Sequence, residues 1–224
     1  MRQPHRHFSL SRKLKRHTAI LLAALLAGSA LAGLSDIPAQ LVEAMSTRFG
    51  PDVPSHLIVW RRHLLHRDAS EEARLASSNR FFNAIPYQRD SDHWKVEDYW
   101  ATPVETVSSQ GADCEDYAIG KYFSLKERGI PVEKLRIAYV RHLRLNEAHM
   151  VLVYYPQPDA EPLVLDSTDR ELKPASQRPD LVPVYSFNDD DVWTERSGSR
   201  SIGSPRQIRL WSGLLARMRR EYGE

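Results

Sequence analysis

The stretch that decides the fold is DCEDYAIGKYFSL, residues 113–125. Small or apolar side chains recur at spacings of four, four and three residues, which places on one helical face Cys114, Ala118, Tyr122 and Leu125. Asp113 stands where an N-cap is favoured, and Gly129 with Pro131 gives a matching stop signal. The stretch therefore predicts a helix that begins at the cysteine.

Cys114 is the only cysteine in 224 residues, so it has no partner for an internal disulfide. Its value lies either in packing, as a small residue on the buried helix face, or in reactivity. The reactive form is the thiolate, which a helix N-terminus stabilises through its partial positive charge and free N–H groups. The backbone N–H of Cys114 could also stabilise an oxyanion.

A histidine and an aspartate follow at the ends of two strand-like runs. His149 opens an apolar run that reaches Tyr155, and Asp166 closes the short run that begins at Leu163. Taken singly, His149 is compatible with a half-exposed residue at a strand entry, and Asp166 with the start of a turn. A thiol, an imidazole and a carboxylate follow one another along the chain in this order. The order predicts Cys114 as the nucleophile, His149 as the base and Asp166 as the acid that orients the base.

Three acidic residues flank the thiol: Asp113, Glu115 and Asp116. They complement the helix dipole, yet carboxylates this close oppose ionisation of the thiol and raise its pKa. A bound Ca²⁺, which takes carboxylate and carbonyl oxygens in flexible geometry, would offset that repulsion. We expect Asp113, Glu115 and Asp116 as metal ligands, with Asp92, Asp98 or backbone carbonyls completing the shell; simple helix capping is the alternative.

The N-terminus has the pattern of an export signal. Six basic residues and no acidic ones precede an apolar run at residues 18–27, and Ala30-Leu31-Ala32 fits a cleavage site. We expect a cleaved signal peptide at 1–32 and one cysteine-protease domain at 33–224; a retained anchor is the alternative. Cleavage would change the formal net charge from +2 to −4. The remaining chain then has no excess of basic residues that would indicate nucleic-acid binding.

The remaining patterns predict an α+β fold, and the apolar (42%) and charged (27%) fractions are those of an ordinary soluble protein. Helices are predicted around 41–49, at 56–66 with Leu57, Ile58, Trp60, Leu64 and Leu65 buried, at 71–83, and around 208–218. A long loop with helical turns is expected at 85–111. Strands are predicted at 135–140, 149–155, 163–166 and 181–187, the first two as a hairpin. N-terminal helices thus precede a mostly antiparallel sheet that packs against the cysteine helix.

Several separated motifs resemble those of the bacterial transglutaminase-like cysteine proteinases. They are WATP (100–103), DCEDYAI (113–119), KYFSL (121–125), AHMVL (148–152), VLD (164–166) and PVYSFN (183–188). The resemblance covers nearly the whole chain after the signal. It implies a transglutaminase/papain-like core, a triad of Cys114, His149 and Asp166, and Ca²⁺ binding by Asp113, Glu115 and Asp116.

The resemblance also implies a biological role. Family members of this kind are periplasmic, and they cleave the N-terminal region of a large repeat-containing adhesin, which releases it and promotes biofilm dispersal. An inner-membrane cyclic-di-GMP receptor of the LapD type inhibits them by gripping an exposed tryptophan. Two other functions remain open at this point: acyl transfer to an amine, as in transglutamination, and a non-catalytic calcium-dependent binding module.

Overall fold

The structure, a computed structural model, describes residues 35–194 and 200–223. The predicted signal peptide lies outside the described residues. From residue 35 onward the described chain belongs to one compact unit. Within that part of the chain, no helix combines the length and the apolar character needed to cross a bilayer.

The described residues contain seven α-helices. They are α1 (Ala39–Phe49), α2 (Val53–Leu65), α3 (Glu71–Phe82), α4 (Asp90–His93), α5 (Pro103–Ser109), α6 (Cys114–Glu127) and α7 (Arg209–Glu221). Short 3₁₀ turns lie at Val132–Lys134, Ala175–Gln177 and Pro205–Gln207. The predicted cysteine helix is confirmed as α6, which ends near Gly129, where the backbone turns with φ of 80°.

One antiparallel sheet of six strands follows the first six helices. The strands are β1 (Leu135–His142), β2 (Glu147–Tyr154), β3 (Leu163–Leu165), β4 (Lys173–Pro174), β5 (Leu181–Phe187) and β6 (Val192–Thr194). Their spatial order is β4-β3-β2-β1-β5-β6. The predicted hairpin is confirmed as β1–β2, in which His149 pairs with Val140 and Asn146 takes a positive φ in the turn.

The second helix differs from its prediction in both its start and its buried face. It begins at Val53 rather than at residue 56, with Pro54 in the first turn, where its missing N–H costs nothing. Ile58 and Leu65, predicted as buried, are 51% and 46% exposed. The contacts with α1 and α5 select the face that buries Val53, Leu57, Trp60 and Leu64.

Strands β4 and β6 were not predicted, because two or three residues are too few to show a period of two. The buried part of α6 is also wider than predicted. Every residue from Glu115 to Leu125 is buried, because α6 contacts β1 and β2 on one side and helices α2, α3 and α5 on the other. The nucleophile helix is therefore a central element of the fold, not a surface helix with one apolar stripe.

We predict that Gly120→Ala destabilises the protein by about 1–3 kcal/mol through overpacking. Gly120 lies in the middle of α6, and an added Cβ would stand 2.3 Å from a ring carbon of Phe82, which is fully buried. The free energy of unfolding, measured by urea titration, checks this. The control is Gly213→Ala on α7, where the nearest atom is 3.8 Å away and alanine favours the helix. Equal stability of the two variants would contradict the prediction.

Candidate active site

Cys114 is the first residue of α6 and is half-buried. Its Sγ donates to Oε2 of Glu115 at 3.0 Å, and the backbone of Met150 also hydrogen-bonds the sulfur. Cys114 and His149 line the same two adjacent cavities, one of about 400 Å³ and one of about 540 Å³. The helix start and the head of β2 therefore bring thiol and imidazole to one cleft.

His149 and Asp166 form a buried pair. Nε2 of His149 lies 2.7 Å from Oδ1 of Asp166, and the two residues are 3% and 0% exposed. β2 and β3 are neighbouring antiparallel strands, so His149 near the start of β2 and Asp166 just after β3 meet at the same end of the sheet. Because Asp166 occupies Nε2, Nδ1 is the ring nitrogen left to exchange a proton with the thiol.

Asp166 is held on several sides. The N–H and the hydroxyl of Thr168 donate to its carboxylate at 3.0 and 2.8 Å, and the side-chain amide of Asn83 donates to its backbone carbonyl at 2.7 Å. Burial favours a raised pKa, but the hydrogen bonds from His149 and Thr168 outweigh it and hold the pKa of Asp166 below its usual value. The sequence left two interpretations of Asp166 open, the start of a turn or the acid that orients His149. Its one carboxylate does both, since it contacts Thr168 in the turn and His149.

Asp113 occupies the N-cap position of α6, but its side chain makes no capping hydrogen bond. Its carboxylate joins a group in which Asp90, Asp113 and Glu115 each offer an oxygen within 4.8 Å of the others. Asp113 is thus the N-cap residue that the sequence predicts, but its carboxylate turns to the acidic group and makes no capping hydrogen bond. Asp92, expected to complete the shell, is exposed and lies outside this group.

Asp116 lies beside this group and is completely buried. Its Oδ1 accepts the N–H of Ala101 at 2.7 Å, and its Oδ2 has no hydrogen-bond partner. Asp90 was missed by the sequence reasoning. It is buried at the start of α4, where it accepts the N–H of Tyr99, and no local pattern distinguishes it from Asp92, two residues later.

Residues 61–200 match the family described as bacterial transglutaminase-like cysteine proteinase BTLCP. The chain belongs to this family. It is accordingly a transglutaminase-like cysteine proteinase, and the resemblance in its motifs is confirmed. A comparison with curated proteins found no match.

Solved structures of LapG from Legionella pneumophila are similar to this proteinase. An EGTA-treated form has a TM-score of 0.73 at 36% identity, covering 84% of this chain and 98% of LapG. A calcium-bound form has a TM-score of 0.71 at 36% identity, covering 84% and 99%. The α+β fold expected from the sequence is confirmed as a LapG-like fold of helices and an antiparallel sheet.

The electrostatics of the proteinase's thiol match the conflict expected from the sequence. Burial raises the pKa of Cys114 well above its usual value, and the charge and hydrogen bond of Glu115 and the charge of Asp113 raise it further. The backbone of Met150 opposes this only in part. The thiol thus stays protonated at neutral pH unless positive charge is added nearby.

The acidic group fits a hard divalent cation. Burial, with the charges of Glu115, Asp116 and Asp90, raises the pKa of Asp113 to about 10. Burial likewise raises the pKa of Asp90 to about 6. In and beside this group, three buried carboxylate oxygens have no hydrogen-bond partner: Oδ1 of Asp90, Oδ1 of Asp113 and Oδ2 of Asp116. Unpartnered carboxylate oxygens at this spacing are the donors that Ca²⁺ prefers.

Proposed function

We propose that this proteinase is a calcium-dependent periplasmic endopeptidase that cleaves the N-terminal region of a large repeat-containing surface adhesin. Cleavage would release the adhesin and promote biofilm dispersal. The observation that carries the proposal is the buried His149–Asp166 pair, which opens on the same cleft as the chain's only thiol. The similarity to LapG supports the choice of substrate class.

We assign each of these residues a role in acyl transfer. Nδ1 of His149 takes the thiol proton, and Sγ of Cys114 attacks the scissile carbonyl. The N–H of Cys114 at the helix start donates to the oxyanion, and the imidazolium protonates the leaving amine. Water, deprotonated by His149, then hydrolyses the thioester. Asp166 stays ionised throughout; it holds the ring and stabilises the imidazolium.

Asp90, Asp113 and Glu115 would hold the calcium ion, with the free Oδ2 of Asp116 beside them. When bound, Ca²⁺ supplies positive charge that offsets the carboxylates around the thiol. This set differs from the expected Asp113, Glu115 and Asp116, because Asp90 takes the place of Asp116 in the group. Because Asp90 begins α4 and the other two lie at the start of α6, one bound ion would join these two helix starts.

A LapD-type inner-membrane receptor that binds cyclic-di-GMP is the proposed inhibitor. Four of the five tryptophans are buried: Trp60, Trp100, Trp193 and Trp211. Trp94 is half-buried and lies against the rings of Phe49, His93 and Tyr99. Trp94 is therefore the tryptophan we assign to receptor contact.

The function is tested with residues 33–224 and the purified N-terminal region of the repeat-containing adhesin from the same genome. Mass spectrometry of the products should show one internal cut in the presence of calcium, and none with Cys114→Ala. A labelled primary amine in the reaction separates the alternatives, since a transglutaminase would attach it and an endopeptidase would not. If the adhesin stays intact while Cys114 still reacts with peptidyl electrophiles, the substrate assignment is wrong.

A further inference from the structure

The second carboxylate oxygen of Asp166 makes an ion pair with Arg178. Nη2 of Arg178 lies 2.7 Å from Oδ2 of Asp166, while Oδ1 faces His149. Arg178 is 5% exposed and lies in the turn before β5, so it reaches Asp166 from a different segment of the chain than His149 on β2. The two oxygens of Asp166 are thus divided between the imidazole and the guanidinium.

Arg178 is itself held in place by Asp180. Its Nε and Nη2 donate to the two carboxylate oxygens of Asp180, both at 3.0 Å, which is the bidentate geometry that fixes a guanidinium plane. Asp180 is also buried, and its backbone carbonyl accepts the N–H of Leu143 at the β1–β2 turn at 2.8 Å. The guanidinium therefore has little freedom to leave Asp166.

Other charged groups also face this pair. Lys121 on α6 is completely buried, its Nζ has no hydrogen-bond partner, and burial lowers its pKa to about 7 although the charge of Asp166 opposes this. On β1, Nε2 of His142 lies 3.5 Å from Asp180, and its ring lies 5.5 Å from that of His149. Nη2 of the exposed Arg144 lies 3.5 Å from Asp180. Arg178 is the arginine that contacts Asp166 directly.

We propose that Arg178 is a positioning residue that keeps Asp166 ionised and aimed at His149, and that Asp180 fixes Arg178 for this role. This inference rests on the proposed function of the triad. A buried carboxylate that loses its cation is easier to protonate, and Asp166 would then be oriented by Thr168 and His149 without the ion pair; both changes weaken its hold on the imidazole. Arg178 acts through Asp166 and touches no reacting atom.

The test compares Arg178→Met, Arg178→Lys and a control, Arg136→Met. Arg136 is a half-buried arginine on β1 whose guanidinium lies over Tyr155 and Trp193, away from Asp166. The kcat and KM are measured against pH and normalised to titrated active thiol. We expect Arg178→Met to lower kcat about 10- to 100-fold with KM little changed. Arg178→Lys should recover part of this loss, and the control should behave as wild type.

The pH profile of kcat shows in which direction the loss of Arg178 changes the pKa of Asp166. Asp166 is ionised above its lowered pKa, so losing Arg178 raises that pKa and moves the acidic limb of kcat to higher pH. Arg178→Lys keeps the charge and should keep the limb in place. A lower melting temperature with unchanged kcat per active thiol and an unmoved limb would show that Arg178 is only structural.

Two further measurements keep the proposal testable if Arg178→Met fails to fold or if the adhesin is not the substrate. Asp180→Asn retains Arg178 but loosens it, and should lower kcat about 10-fold; an unchanged kcat would overturn the proposal.

The downfield proton resonance of Nε2 of His149, observed with ¹⁵N-labelled histidine, needs no substrate. It should weaken or disappear in Arg178→Met or Asp180→Asn and persist in Arg136→Met. An unchanged resonance in the first two would contradict the positioning role even where the adhesin is not cut.

Discussion

Cys114→Ala is expected to lower the rate of peptide-bond cleavage by at least about 10³-fold, to the residual rate that substrate binding alone provides. The thiol is the chain's only sulfur nucleophile of this kind, and it shares its cleft with the base His149. The hydroxyl of Thr168 also lines this cleft, but it donates to Oδ2 of Asp166 rather than to the imidazole. The loss should therefore appear in kcat, measured with a peptide that spans the adhesin cleavage site.

The same variant should keep its fold. Cys114 is half-buried at the first position of α6, so removing one sulfur atom leaves a small gap rather than a core cavity. Thermal melting followed by circular dichroism should be close to that of wild type, and Cys114→Ser should be equally inactive. Proteolysis that survives in folded Cys114→Ala protein would remove the mechanism.

Chelation of calcium is expected to lower kcat/KM about 10²-fold at neutral pH, and added calcium should restore it. Burial and the charge of Glu115 raise the pKa of the thiol, so without a neutralising cation the thiolate forms only at higher pH. Each unit by which that pKa rises costs about tenfold in thiolate at a pH below it. The pH profile with EGTA should therefore show its acidic limb displaced to higher pH. Activity that is indifferent to the chelator would contradict the prediction.

Asp90 and Asp92 offer a matched pair for the same site. Asp90→Asn removes a buried carboxylate of the acidic group, and should raise the calcium concentration for half-maximal activity about tenfold. Asp92→Asn removes an exposed carboxylate two residues away and should leave that concentration unchanged. Equal effects would mean that the acidic group does not hold the ion.

The sequence predicts the parts of the site that lie on regular elements. Cys114 and His149 sit at the starts of α6 and β2, and Asp166 follows β3, so periodicity and end signals locate all three. The acids beside Cys114 are predicted for the same reason. These acids are next to Cys114 in the sequence and therefore lie close to its thiol in the structure.

Asp90 and Arg178 were not predicted because Asp90 lies on a helix of only 4 residues and Arg178 lies in the turn before β5. Their positions depend on how α4 and the turn before β5 pack, and no local pattern encodes that packing. The buried face of α2 failed similarly, since Ile58 and Leu65 are as apolar as Leu57 and Leu64 and only the neighbouring helices decide between them. Local pattern thus predicts the elements and the residues at their ends, whereas tertiary contacts decide the rest.

The burial of α6 on both sides has a consequence for how this enzyme diversifies. Backbone amides between Tyr117 and Leu125 have no route to solvent through local fraying, so hydrogen–deuterium exchange there should proceed only when the whole domain unfolds. The sulfur therefore stands at the start of a helix that is buried on both sides, while exposed residues such as Tyr87 and Leu145 form the cleft's outer rim. Mutations at that rim can retune peptide preference without disturbing the nucleophile.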